Sequence, residues 1–190
     1  VVDCIYAMME KILSESRISY IKWDMNRSIT ECYSAALSPD RQGEVFHRYI
    51  LGVYDLYDRL TKKFPQVLFE SCASGGGRFD PGLLYYAPQG WASDDSDAVE
   101  RLKIQYGTTM CYPVSSIGSH VSVVPNHQVF RNTPLHTRAN VACFGTFGYE
   151  LDLNRLPEEE LEEVKKQIAF MKEYRELLQF GTFYRIKSPF

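Results

Sequence analysis

The sequence predicts an α/β architecture built on parallel strands. Helical patterns alternate with short apolar runs, and polar clusters follow the runs at their C-terminal ends. Parallel neighbours need crossover connections, usually helices, so this alternation favours a parallel sheet over hairpins.

Ile5, Met8, Met9, Ile12 and Leu13 share one helical face, and the pattern stops before Tyr20-Ile21, which reads as a buried strand. Val45, Tyr49, Val53, Leu56 and Leu60 mark a second helix closed by Pro65, and Val67-Leu68-Phe69 follows as a second strand. Gly90 to Ser93 is a weaker strand candidate, succeeded by a helix from about Ala98 to Tyr106. Met110 to Ile117 and Ala139 to Gly145 complete the set of strand candidates. A long amphipathic helix is expected from about Pro157 to Gln179, with Leu161, Val164, Ile168, Met171 and Leu178 inward. Pro157 suits its first turn, Glu158 to Glu160 complement the helix dipole, and Gly181 ends it.

The polar clusters at the run ends are Lys22-Asp24-Asn26, Ser71-Cys72 and Ser93-Asp94-Asp95. Reactive groups at the C-terminal ends of several parallel strands are the arrangement of a (β/α)8 barrel, which needs roughly 200 residues or more when whole. A chain with this many strand candidates therefore reads as a partial barrel. It begins at Val1 within what looks like a helix and stops at Phe190 just after a strand-like segment, so a fragment of a longer protein is expected.

The chain has 190 residues, 45% hydrophobic, with 21 Lys+Arg against 24 Asp+Glu, a composition that excludes disorder, collagen and a disulfide miniprotein. A net charge of −3 without long like-charge blocks argues against a nucleic-acid surface. No apolar run reaches the roughly 18 residues of a membrane helix. The first residues lack a signal peptide's basic n-region and cleavage site. The five scattered cysteines have no CxxC spacing, which fits reduced thiols in a cytoplasmic protein. Asn26-Arg27-Ser28 matches the N-glycosylation sequon, a pattern common by chance.

Three constellations carry candidate chemistry. In Tyr20-Ile-Lys-Trp-Asp-Met-Asn-Arg27, the period of two along a strand puts Lys22, Asp24 and Asn26 on one side. A structural Lys–Asp pair is the plainer reading of that motif taken alone. In Trp91-Ala-Ser-Asp-Asp-Ser-Asp-Ala98, Asp97 reads as a helix N-cap, Asp95 as a cap or solvated acid, and Asp94 as the carboxylate placed to face the same mouth as Asp24. In Glu70-Ser-Cys-Ala-Ser-Gly-Gly-Gly-Arg-Phe-Asp80, the glycines allow backbone to approach a ligand closely, and Cys72 reads as lining a pocket. His120 and His127 lack HExxH spacing, and Ser115, Ser116 and Ser119 lack a GxSxG elbow. Two carboxylates from different strands suit glycoside cleavage, although composition alone does not select it.

The segments KWDMNR (Lys22 to Arg27), ESCASGGGRFDPG (Glu70 to Gly82) and WASDDSDAVERLKIQYG (Trp91 to Gly107) closely resemble glycoside hydrolase family 36 α-galactosidases. CYPVSSIGSHVS, the following PNHQ, and the RAN and FGTFGYELDL stretches are similar to the family too. The resemblance implies a retaining exo-α-galactosidase acting on terminal α-galactosides of the melibiose and raffinose type. It makes Asp24 the nucleophile and Asp94 the general acid and base, with Lys22, Asn26, Cys72 and the backbone near Gly75 as sugar contacts. It places the chain at about strands 4 to 8 of the barrel over residues 1–180, with residues 181–190 opening a C-terminal β-sandwich. It implies no metal or nucleotide cofactor, no nucleic-acid or membrane partner, and a homo-oligomer, tetrameric in family members. The family's paired Asp for the galactose 4- and 6-hydroxyls, with a pocket Trp and an Arg, belongs to strands this chain lacks. A raffinose- or stachyose-synthase-like transferase of the same fold, and an inactive truncated barrel, are the alternatives.

Overall fold

The computed structural model describes residues 1–26 and 29–190. Arg27, the last residue of KWDMNR, and Ser28, which completes the sequon, lie outside the described residues. The chain is α/β with parallel strands, and it divides into two units: Val1–Ala73 with Arg78–Pro88, and Ser74–Gly77 with Gln89–Phe190.

In the first unit, α1 (Val2–Glu15) leads into β1 (Tyr20–Asp24), α2 (Val45–Lys63) crosses over, and β2 (Leu68–Cys72) returns parallel to β1. The register pairs Lys22 with Glu70 and Asp24 with Cys72, so both strands end side by side. α3 (Pro81–Tyr86) begins at an Asp80 cap that accepts from the Leu83 amide at 3.0 Å. The core gathers Leu13, Leu56, Tyr57, Leu60, Phe64, Phe69 and Leu83 between these elements. Leu60 and Phe69 are almost fully buried, each contributing about 1.5–3 kcal/mol by leaving water. On α1 the expected face is only partly used. Leu13 is buried and Ile5 and Met9 pack against the core, whereas Met8 and Ile12 remain exposed.

In the second unit, β3 (Gln89–Gly90) is followed by α4 (Ala98–Thr108), β4 (Gly118–Ser122), α5 (Leu135–Ala142), β5 (Thr146–Glu150) and α6 (Glu158–Phe180). β4 and β5 pair in parallel from Gly118–Thr146 to Ser122–Glu150, and Gly90 bridges to Ile117. Val121, Leu135, Ala139, Ala142 and Val164 form the core.

Three of the expected strands differ in the structure. Of Gly90 to Ser93 only Gly90 is strand, in Gln89–Gly90; Met110 to Ile117 is turns and a 3-10 segment up to the Ile117 bridge, and Ala139 to Gly145 falls largely on α5. The true strand β4 is Gly-Ser-His-Val-Ser, two of whose four buried positions are serines. Its interior is satisfied by hydrogen bonds: the Ser119 hydroxyl donates to Gln105 Oε1 at 2.8 Å and the Ser122 hydroxyl to the Ser96 carbonyl at 2.9 Å. An apolar-run criterion passes over such a strand, and it mistakes a short, well-buried helix such as α5 for one. On α6, Val164 and Met171 are buried as expected but Ile168 is exposed. Residues 181–190, the expected opening of a β-sandwich, run as irregular chain.

Two phenols link this packing to pH. Tyr54 is pushed up to about 12 by burial and then by its 2.8 Å hydrogen bond to Asp80 Oδ1. Tyr149 is also pushed up to about 12, by burial first and then by Cys143 and Glu163. Unfolded phenols ionise near 10.0, so their contribution is complete below that pH and is lost as pH rises toward about 12, where the unfolded chain has released protons the native state still holds. Alkaline unfolding followed by circular dichroism is expected to show this decline, and Tyr54→Phe and Tyr149→Phe are expected to flatten it. An identical decline in both variants would contradict the assignment.

Candidate functional site

β1 sorts its side chains by strand alternation. Ile21 and Trp23 face the core, where the Trp23 ring lies 5.2 Å from Tyr57 and 6.2 Å from Phe69. Tyr20, Lys22 and Asp24 occupy the opposite, exposed face, as the period of two predicts. Asn26 joins them: its Nδ2 donates to Asp24 Oδ2 at 2.6 Å, which orients that carboxylate. The Lys22 ammonium sits 3.6 Å from Glu70 Oε1, its partner in register, and the Tyr20 hydroxyl donates to Glu70 Oε2. Glu70 is 1% exposed, so a buried carboxylate anchors Lys22 from the neighbouring strand.

The chain just beyond Asp24 is held from two sides. The Met25 amide donates to the Cys72 carbonyl at 3.1 Å, extending the parallel ladder, and Arg78 donates to the Met25 carbonyl at 2.8 Å. The Arg78 guanidinium lies 5.9 Å from the centre of the Tyr49 ring. Cys72 is buried at the end of β2, opposite Asp24.

In the second unit the three clustered aspartates separate into distinct roles. Asp97 is the N-cap of α4, accepting from the Val99 and Glu100 amides at 3.1 Å each, and it pairs with Arg131. A cap of this kind contributes about 1 kcal/mol. Asp95 Oδ1 accepts from the Asp97 amide at 3.0 Å, closing a turn. The exposed Asp94 carboxylate has no hydrogen-bond partner among the described residues.

The Asp94 backbone, by contrast, is fixed. Arg101, 2% exposed, donates to the Ser93 carbonyl at 3.0 Å and to the Gly118 carbonyl at 2.5 Å. Its guanidinium lies 4.3 Å from the centre of the Trp91 ring, which stacks on His120 at 4.6 Å. Burial lowers Arg101 to about 10, with Glu150 and Asp95 opposing, and it stays cationic at neutral pH. The glycine loop supplies the other wall. Gly75 has φ +71°, and a Cβ there would meet the Asp94 nitrogen and the Ser93 Cα at 2.6 Å; one at Gly76 would meet the Ala92 carbonyl oxygen at 2.4 Å. The close approach these glycines permit is therefore to the chain's own 92–94 segment.

Within each unit the structure thus brings together Lys22, Asp24 and Asn26 beside Cys72, and Gly75 beside Asp94. Sequence reasoning missed Glu70, Arg78, Arg101 and Gln128. The first two stand inside ESCASGGGRFDPG, and charged residues within an otherwise apolar strand and glycine loop were the available signal. Among the described residues no three His, Cys, Asp or Glu side chains form a metal-ligand cluster. None of the helices among those residues is long and apolar enough to cross a membrane. A mainly apolar cavity of about 720 Å³ lies between α4, α5 and residues 182–189, and none of the candidate residues lines it.

The melibiase family profile matches residues 1–181. The α-galactosidase AgaA of Geobacillus stearothermophilus is 57% identical over 190 residues, covering 100% of this chain and 26% of that protein. The α-galactosidase Mel36A of Lactobacillus acidophilus is 55% identical over 186 residues, covering 98% and 25%. The crystal structure of AgaA, a GH36 α-galactosidase, matches with a TM-score of 0.96 at 57% identity, over 99% of this chain and 26% of that one. Substituted forms of AgaA are known in complex with raffinose and with stachyose. The chain therefore spans about a quarter of the length of these relatives.

The Gly75 geometry gives a direct expectation. Gly75→Ala combines a left-handed backbone with a backbone clash and is expected to destabilise the intact protein by about 2–4 kcal/mol, read as a lower melting temperature. A melting temperature equal to that of the parent would show that segment 92–94 yields freely.

Proposed function

The chain belongs to the melibiase family, and from that membership we propose that it is the Asp24- and Asp94-bearing part of a retaining exo-α-galactosidase. The observation that carries the residue assignment is a spacing. The AgaA complexes with raffinose and stachyose each have an aspartate replaced, and those two aspartates are as far apart along that chain as Asp24 and Asp94 are here.

In the proposed reaction the Asp24 carboxylate attacks the anomeric carbon of a terminal α-galactoside. The glycosidic C–O bond breaks as Asp94 gives its proton to the departing oxygen, leaving a galactosyl ester on Asp24. Asp94 then takes a proton from water, the hydroxide oxygen bonds to the anomeric carbon, and the ester bond breaks to restore both groups. This double displacement requires the two carboxyl groups about 5–5.5 Å apart. Asn26, bonded to Asp24 Oδ2, supports the orientation of the nucleophile, and Lys22, held by Glu70, supplies a cation for sugar hydroxyls. Cys72 and the Gly75 backbone are proposed as further sugar contacts.

The same reading takes residues 1–180 as about strands 4 to 8 of a (β/α)8 barrel and residues 181–190 as the approach to a β-sandwich. It takes the substrate as a raffinose-type oligosaccharide, the intact protein as a cytoplasmic homo-oligomer, and the reaction as needing no metal. Hydrolysis is preferred to transfer because the similar proteins are named α-galactosidases.

Asp24→Gly in the intact protein is expected to abolish turnover of an aryl α-galactoside, with azide restoring part of it as a galactosyl azide. Undiminished turnover would remove Asp24 from the mechanism. Oligosaccharide in place of free galactose when sucrose is supplied would instead establish a transferase.

A further inference from the structure

We propose that Gln128 is a positioning residue for Asp94, stapling the Asp94–Ser96 turn and so setting where the acid/base carboxylate is presented. The proposal rests on the assignment of Asp94 made above. Gln128 Nε2 donates to the Asp94 carbonyl at 2.6 Å, and its Oε1 accepts from the Ser96 amide at 3.0 Å. A primary amide offers a donor and an acceptor on one carbon, so it closes this two-point contact; a carboxylate offers only acceptors and an ammonium only donors.

The staple is itself held. Asn126, 1% exposed, accepts from the Gln128 and Val129 amides through Oδ1 at 2.9 and 3.0 Å, while its Nδ2 donates to Ser96 Oγ at 3.2 Å. The loop closes on itself through the Asn126 amide to the Arg131 carbonyl at 2.9 Å and the Phe130 amide to the Asn126 carbonyl at 2.8 Å. Ser122, at the end of β4, fixes the Ser96 carbonyl from a third direction at 2.9 Å. Two residues of PNHQ thus converge on the turn that carries Asp94. The Asp94 carboxylate, without a partner of its own among the described residues, inherits its position from this backbone, and a displacement of about 1 Å can cost a hundredfold in rate.

The test compares Gln128→Ala, Gln128→Glu and Asp94→Ala in the intact protein, reading kcat/KM on two substrates. A dinitrophenyl α-galactoside has a leaving group that departs without protonation, whereas the leaving sugar of raffinose needs the acid. Asp94→Ala is expected to lose about 100-fold more on raffinose than on the aryl substrate. Gln128→Ala is expected to lose about tenfold or more on raffinose and about twofold or less on the aryl substrate. Gln128→Glu keeps the acceptor for Ser96 and lacks the donor for Asp94, so it is expected to follow Gln128→Ala; near-isosteric at an exposed position, it also keeps the test open if the alanine variant folds poorly. Equal losses on both substrates, or full activity in Gln128→Glu, would overturn the staple. Absence of the asymmetry in Asp94→Ala would overturn the assignment of Asp94, and the staple with it.

Discussion

Parallel pairing is the constraint from which the rest of the arrangement follows. Two strands that run the same way and are joined by a crossover helix finish at the same edge, so residues ending each strand become neighbours whatever their separation in sequence. In the first unit this sets Asp24 opposite Cys72 and Lys22 opposite Glu70, with the ladder continued by the Met25 amide. The packing that enforces it lies on the other face. Trp23 is caught between Tyr57 of α2 and Phe69 of β2, and slipping the register by one residue would turn it out of the core and bring the charged row in. The hydrophobic face therefore determines where the polar face can present its groups.

The second unit solves a different problem, that of holding several charges close together. Asp97 is neutralised by the N-terminus of α4 and by Arg131, which also reaches Glu100 at 3.2 Å. Arg101 is buried, yet its guanidinium is shared among two carbonyls, Gln105 and the face of Trp91, so the cost of taking a cation out of water is offset by several directed contacts. Gln105 extends the same network to the Val141 and Phe144 carbonyls at 3.0 Å each, tying α4 to the end of α5. Much of this unit's interior order is carried by hydrogen bonds, which explains how a serine-rich strand can sit at its centre.

What was legible in the sequence divides along the same line. The first unit is built on apolar periodicity, and β1, α2, β2 and the one-sided row of Lys22, Asp24 and Asn26 were all readable from it. The N-cap role of Asp97 was equally readable, because capping is local chemistry. β4 and β5 were not, since the partners that make Ser119 and Ser122 suitable for burial, Gln105 and Ser96, lie far along the chain. The glycine loop shows its physical requirement, close backbone approach, in its composition, whereas the segment that approaches Gly75 within the chain, residues 92–94, is set by tertiary packing that no local pattern announces.

The two aspartates are supported in opposite ways, and the proposed chemistry gives a reason. A nucleophile must point one oxygen along a single line of attack, so a hydrogen bond to the other oxygen, as Asn26 makes to Asp24, assists without standing in the way. An acid that becomes a base must first give up a proton and then take one from a different donor. A donor fixed on its reacting oxygen would have to give way whenever that oxygen carries the proton. Asp94 has its flanking carbonyls held by Arg101 and Gln128 and its amide backed by Gly75, while its carboxylate takes no hydrogen bond from the described residues. Rigidity is thus placed in the backbone, where it fixes position, and kept off the side chain, where it would oppose the exchange of protons.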